Sequence, residues 1–309
     1  ENDPNETGLV GSLFSLITTD EGDLDAKLTT LDPNFAAGIV ELLVKMNLQK
    51  GDTVAVLLTG SMPGANIAVL TAAKTLGLVV KSITSVGASQ WGANNADFTW
   101  LDMEEILYSS GFIAQKSVAA SIGGRNDMGR LLSPEGRKII LENITNHKIP
   151  IIKNNKLAEN IEQRMEIFSS FLDIQKYSAM INVGGGVASL GTSFNSKLLK
   201  AGIVKRPDVL DISLREGGIE GVLSKFSMKN IPVLHVLNIK SLTEQLNMPF
   251  APIPIPEIGI GGLYAERTYN TKIAGICLFI VSGCVFMVGY QSKKRIKEHL
   301  TDHEPDSLL

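Results

Sequence analysis

From residue 54 to residue 77 the chain reads VAVLLTGSMPGANIAVLTAAKTLG, an unbroken apolar run, a Gly/Ser turn and then apolar positions at helical spacing. An unbroken run of that length fits a strand covered on both faces, and the spacing that follows fits a one-sided helix. The same alternation recurs along the chain. Asp32 and Pro33 supply a cap and a first-turn proline, after which Phe35, Ile39, Leu42, Leu43 and Met46 keep helical spacing until Lys50-Gly51-Asp52. Strands are predicted at about 54–59 and 79–85, with a helix at about 65–75 between them. Further on, SPEGRKIILENITNH starts a helix with Ser133 as cap, and the short run IPIIK follows. A helix near 156–173 then leads to the strands YSAMINV and PVLHVLN. Apolar strands alternating with helices predict a doubly wound α/β domain with Rossmann-like layers around a mainly parallel sheet. Residues 86–130 are too rich in glycine and polar side chains for ordinary helix, so a long functional loop or an edge strand is expected there.

The pattern changes near the C-terminus. Ile273 to Tyr290 reads IAGICLFIVSGCVFMVGY with no charge, long enough at about 1.5 Å per residue to nearly cross a hydrocarbon core of about 30 Å. Lys293, Lys294, Arg295 and Lys297 follow it, whereas the preceding flank carries Arg267 and Lys272 beside Glu266. This bias predicts a transmembrane helix in the cell's inner (plasma) membrane, with its C-terminal tail in the cytoplasm and the large domain outside. Before it, Pro249, Pro252, Pro254 and Pro256 predict a stiff connector, a stalk or a strap packed on the domain. The expected organisation is an extracytoplasmic domain at 1–248, a proline-rich connector at 249–271, a transmembrane helix at 272–291 and a basic tail at 292–309. Gly275, Ser282, Gly283 and Gly289 allow close helix packing, so a homo-oligomer is possible. The first residue is Glu1, which leaves room for a removed signal peptide or an N-terminal anchor.

Composition narrows the chemistry. A net charge of -3 with both signs scattered leaves no basic stripe for a phosphate backbone, so nucleic acid is not an expected partner. Both cysteines, Cys277 and Cys284, fall inside the apolar run, so residues 1–270 carry neither a disulfide framework nor a cysteine metal site. His299 and His303 sit in the charged tail as solvated residues; His147 reads as a helix-end residue and His235 as a core histidine. No cofactor and no metal are expected.

In a parallel sheet the turns leaving the carboxyl ends of the strands share one edge, and ligands bind where the strand order reverses. Three unusual turns fall at such points: TGSMPGAN, TSVGASQWGANNADFTWLD and NVGGGVASLGTSFN. Each combines glycines with hydroxyl or amide side chains, and the helix after the first aims free N–H groups outward, which suits a carboxylate or phosphate. The candidate ligand-binding residues are Ser61, Asn66, Ser85, Ser89, Trp91, Asn94, Arg125, Gly184, Gly185, Gly186 and Ser189. The competing reading is that such turns need Gly and Ser for geometry alone. Neither GSMPGAN nor GGGVASLG is a nucleotide fingerprint, since the first lacks the lysine of a Walker loop. Ser61 gives G-S-x-x-G rather than a nucleophile elbow. Asp97, Asp102, Glu104, Glu105 and Asp127 read as solvated or capping carboxylates, and no catalytic residue is assigned.

Particular strings carry a resemblance. DPNETGLVGSLFSLITTDEGDLDAKLTTLDPNFAAGIVELL, TGSMPGANIAVLTAAKTLGL, SVGASQWGANNADFTWLDMEEIL, ASIGGRNDMG and INVGGGVASLG, within residues 3 to about 265, resemble the membrane-anchored poly-gamma-glutamate system protein family. The resemblance implies an accessory role in synthesis, export or retention of a polyanionic glutamate polymer during capsule formation. The partners it implies are the polymer, the membrane subunits of the synthase and the lipid bilayer; it supplies no catalytic residues. The rival expectation is a hydrolase or transferase acting on γ-glutamyl bonds, with Ser61, Ser85 or Ser89 as nucleophile. A third is a structural subunit whose turns bind nothing.

Overall fold

The computed structural model describes residues 3–192, 198–206, 208, 220–265 and 270–301. The flanking charges Glu266 and Arg267 and the tail histidine His303 lie outside the described residues. The chain divides into two units, Glu1–Tyr264 and Ala265–Leu309.

In chain order the first unit runs β1 (Thr18–Asp20), α1 (Leu24–Thr29), α2 (Pro33–Lys45), β2 (Thr53–Thr59), α3 (Pro63–Thr75), β3 (Val79–Ser85), β4 (Ala88–Ser89), β5 (Asn94–Asn95), β6 (Phe98–Thr99), α4 (Trp100–Ser109) and β7 (Ala119–Ser121). There follow α5 (Pro134–Asn146), β8 (Ile151–Ile152), α6 (Leu157–Phe171), β9 (Ala179–Val183), α7 (Val187–Leu190), β10 (Gly202–Val204), α8 (Val222–Met228), β11 (Val233–Val236) and α9 (Ile239–Gln245). The helix starts obey simple chemistry. Asp32 accepts from the Asn34 N–H with Pro33 in the first turn of α2, and Ser133 accepts from the Gly136 N–H at the start of α5.

Seven strands form one sheet in the order β10-β11-β9-β2-β3-β7-β8. Every pairing in it is parallel except that of β10 with β11. From β2 the chain steps outward through β3 and β7 to β8, then returns to the other side of β2 with β9 and β11. The topological switch therefore lies between β2 and β9, and a ligand crevice is expected at their carboxyl ends. Central β2 is buried from Val54 to Thr59, which is why its sequence reads as an unbroken apolar run.

Helices cover both faces. On one, Phe35, Ile39 and Leu43 of α2, Val69 of α3, Ile140 of α5 and Leu242 of α9 pack on Val54, Val56, Ile181 and Leu234. On the other, Ile161 and Phe168 of α6 and Phe226 of α8 pack on Ala55, Leu57, Ile83 and Met180. Phe168, Tyr177 and Phe226 meet edge to face at centroid distances of 5.6–6.0 Å.

Residues 86–130 depart from expectation. They hold a ten-residue helix, α4, and its start is fixed by a capping box: Thr99 accepts from the Leu101 N–H while the Asp102 carboxylate accepts from the Thr99 N–H at 2.7 Å. Trp100, Leu101, Met103 and Glu104 are its buried positions. The strand that this region gives to the seven-stranded sheet is interior, since β7 lies between β3 and β8; its Ala-Ala-Ser sequence is too short and too small to register as an apolar run.

In the second unit α10 (Thr271–Thr301) is one continuous helix, and its 18-residue apolar window has a mean hydropathy of 2.3. It is a candidate membrane span by length and composition.

Candidate functional site

The first and third turns meet at the switch. A Cβ on Gly184 would lie 2.3 Å from Thr59 Oγ1, so the β9 turn crosses directly over the end of β2, and Gly184 holds φ +89° to do so. The second turn joins them from the β3 side. Gly60 lies so close to Val86 that a Cβ would sit 2.2 Å from its carbonyl oxygen, and the Ser89 N–H donates to Ser61 Oγ at 2.9 Å. Gly60→Ala is accordingly expected to cost on the order of 1–3 kcal/mol, read as a lower midpoint in urea unfolding, because backbone must move to admit the methyl. An unchanged midpoint would show that the two turns do not touch.

Lys27, on the short helix α1, ties this junction together. It is buried, and its Nζ donates to the Ser61 carbonyl oxygen and, at 2.7 Å, to Ser89 Oγ. Burial pulls its ammonium down to a pKa of about 8, partly offset by the Asp23 carboxylate. Near neutral pH a fraction of Lys27 is thus a free amine against a serine hydroxyl, an arrangement able to move a proton.

A second polar cluster lies where β3 and β7 end. Arg164 of α6 forks onto Asp127, with Nη1 2.7 Å from Oδ2 and Nη2 3.0 Å from Oδ1, and both side chains are 1% exposed. Ser121 Oγ donates to Asp127 Oδ1 at 2.7 Å and accepts from Arg164 Nη2 at 2.7 Å; Ser85 Oγ is 3.2 Å from Ser121 Oγ. The expected solvated or capping role of Asp127 is therefore corrected. It is the buried partner of an arginine, held at φ +59° just past Gly123 and Gly124, which themselves take φ +79° and +65°.

Glu104 is corrected as well. It is 2% exposed, with its carboxyl against the Ser117 N–H and Oγ at 3.0 and 2.9 Å, and burial pushes its pKa up to about 7. Asp102 caps α4 and holds His147 Nε2 at 2.8 Å, and Glu105 pairs with Lys116 at 2.5 Å. A small cavity borders Glu104, Lys116, Ser117 and His147.

Of the eleven candidate residues, Ser61, Ser89 and Gly184 share the switch junction. Ser85 belongs to the Asp127–Arg164 cluster instead. Asn66 is buried and donates to the Thr59 carbonyl, leaving its Oδ1 without a partner. Asn94 spends its amide on the N-terminal segment, accepting from the Ser12 N–H and donating to Ser12 O and Thr18 Oγ1. Trp91 takes φ +61° and donates its N–H to Ser12 O. Arg125 is exposed on a 3-10 turn, and the arginine that grips a carboxylate is Arg164. Gly185 is exposed, Gly186 half-buried and Ser189 buried with its Oγ unpartnered.

The second turn's main chain is largely engaged within the molecule. The N-terminal segment runs over it through the β1–β4 pairing, and the N–H groups of Ala88, Gln90 and Trp91 donate to Ile17, Asp20 and Ser12. In the third turn the Gly184 N–H donates to Val236 O, while Gly185 presents its backbone to solvent.

His235 sits in β11 between the faces. Asn182 Nδ2 donates to its Nδ1 at 2.9 Å, which places the ring proton on Nε2, and burial pulls its pKa down to about 4.

Sequence reasoning missed Lys27, Ser121 and Arg164. Arg164 left a trace: it stands with Leu157, Ile161 and Phe168 on the buried stripe of α6, where an arginine needs a partner. Lys27 left none, since α1 is too short for a periodic stripe.

No protein-family model and no curated protein matches the chain. Among solved structures, the crystal structure of CurK enoyl reductase is similar at 13% identity and a TM-score of 0.22, covering 70% of this chain. The alignment takes in 45% of that structure's chain, so this chain spans less than half its length.

Proposed function

We propose that the chain is a membrane-anchored accessory component of poly-gamma-glutamate synthesis or export, which binds the anionic polymer or scaffolds the membrane subunits of its synthase. The observation that supports this reading is the meeting of the Ser61 and Gly184–Gly186 turns at the β2/β9 switch, with Gly185 open to solvent. Exposed backbone at such a crevice suits carboxylates, of which this polymer offers one per unit, without a large positive field. The apolar helix α10 and the basic cluster after it support an inner-membrane anchor with the tail in the cytoplasm and the α/β unit outside.

The test is calorimetry of the full chain in nanodiscs with γ-linked oligoglutamate. Saturable heat at up to millimolar ligand is expected, weakened at least about tenfold by Gly185→Asp, which puts a like charge at the turn. Absence of saturation would leave only the scaffolding role.

The Lys27–Ser89 contact favours a second reading, a hydrolase or transferase of γ-glutamyl bonds. Neutral Lys27 would take the Ser89 hydroxyl proton as Oγ adds to the γ-carbonyl carbon, then return it to the departing amine; water or a second amine would release the acyl-serine. Incubation with polymer separates the two. Under the accessory reading chain length stays constant, whereas shortening that rises through about pH 8 and vanishes in Ser89→Ala would establish the enzyme.

A further inference from the structure

After Phe250 the chain forms a strap, Ala251–Tyr264, that is pinned to the first unit. The Ala251 N–H donates to Thr29 Oγ1 at 2.8 Å. The buried Asn34 at the start of α2 takes three more contacts: it donates to Glu257 O at 3.1 Å and accepts from the Gly259 N–H at 2.9 Å and the Tyr264 hydroxyl at 3.0 Å. Phe250 and Leu263 pack against the core at its two ends.

Between those pins the apolar side chains face away from the protein. Ile253 is 95% exposed, Ile255 52%, Ile258 76% and Ile260 59%. Pro252, Pro254 and Pro256 stiffen the segment, and Glu257 is its one charge. Single exposed apolar residues are ordinary on a protein surface, but four isoleucines within eight positions of a pinned strap form a patch that calls for an occupant.

The chain itself points to that occupant. Only residues 265–272 separate Tyr264 from Ile273, where the apolar run of α10 begins, and nine steps of extended chain reach at most ~32 Å. If α10 spans a bilayer, the strap cannot lie farther than that from the surface the helix enters. We propose that the strap is a bilayer-contact surface: Ile253, Ile255, Ile258 and Ile260 insert at the headgroup boundary of that leaflet and hold the α/β unit against the membrane. This rests on reading α10 as a membrane span.

Tryptophan quenching by brominated lipids tests both parts separately. The full chain is placed one copy per nanodisc, in lipids brominated either near the headgroup or deep in the acyl chains. Emission added by Ile258→Trp is expected to be quenched by the shallow label, and that added by Ile280→Trp, near the middle of the apolar run Ile273–Tyr290 of α10, by the deep one. Phe112→Trp, at an exposed position outside the strap, is expected to escape quenching. Should Ile258→Trp misfold, Ile253→Trp at the most exposed strap position replaces it. Quenching at residue 280 without quenching at the strap overturns the strap proposal while sparing the span, as does equal quenching at residue 112. No quenching at residue 280 overturns the span reading itself. A strap that pairs with a second copy rather than with lipid would go unquenched in single-copy discs, which also overturns the proposal.

Discussion

Asp127→Asn is expected to destabilise the α/β unit by about 3–5 kcal/mol, the range for removing one partner of a fully buried ion pair. Asparagine suits the site's left-handed backbone, φ +59°, so the change isolates the charge rather than adding backbone strain. What it leaves behind is the difficulty. Arg164 is 1% exposed, and without the carboxylate its acceptors are the single amide oxygen left at residue 127, the Ser85 and Ser121 hydroxyls and the Asn160 carbonyl. None of these neutralises it. Urea unfolding of the detergent-solubilised chain, followed through the buried Trp100, reads the loss as a lower midpoint at unchanged slope. The double variant Asp127→Asn/Arg164→Met is expected to recover a large part, since a methionine leaves no unpaired charge. A loss under 1 kcal/mol, or simple additivity in the double variant, would show that the pair does not work as a unit.

The contrast between what could and could not be read from sequence follows from the range of the interactions. The strands at 53–59 and 79–85 and the caps Asp32 and Ser133 depend on neighbours close in sequence, and the structure places them within a residue or two of expectation; the apolar helix α10 starts one residue before its expected start at 272 but continues to Thr301, ten residues past its expected end at 291. The convergence of turns at the sheet edge followed from strand alternation, because parallel crossovers bring carboxyl ends to one side. Side-chain partners did not follow. Asp127 meets Arg164 across 37 positions, and Lys27 meets Ser89 across 62, so neither pairing leaves a local pattern. Glu104 was misread for a related reason: an acidic pair on a helix ordinarily faces solvent, yet here Glu105 faces outward and Glu104 turns in against Ser117. The covering of the second turn by residues 11–20 was likewise hidden, since β1 is three residues long and pairs with a two-residue strand.

Glu104→Gln is expected to remove a pH dependence and to stabilise the domain in alkali. The Glu104 carboxyl ionises near 4.5 when the chain is unfolded and only near 7 when folded, because burial penalises the charge. A raised carboxyl pKa contributes stability that is fully present below pH 4.5 and is lost as pH rises through about 7. The difference of about 2.5 units corresponds to about 3 kcal/mol. Nearby groups act on it in both directions: Lys116 lowers the value and Glu105 raises it, while His147 borders the same cavity. Glutamine keeps the shape and the contacts. Its carbonyl accepts from the Ser117 N–H, its amide donates to Ser117 Oγ, and that hydroxyl turns its proton to Thr84 Oγ1 at 2.8 Å. His235 slopes the other way, since its lowered pKa contributes stability that is full above 6.5 and lost as pH falls toward 4. The informative quantity is therefore the difference between variant and parent. Urea midpoints taken from pH 4 to pH 9 are expected to coincide at the acid end and to diverge above pH 5, with the glutamine variant the more stable by about 3 kcal/mol at pH 8. Parallel curves across that range would mean that Glu104 ionises in the folded protein as freely as it does in water.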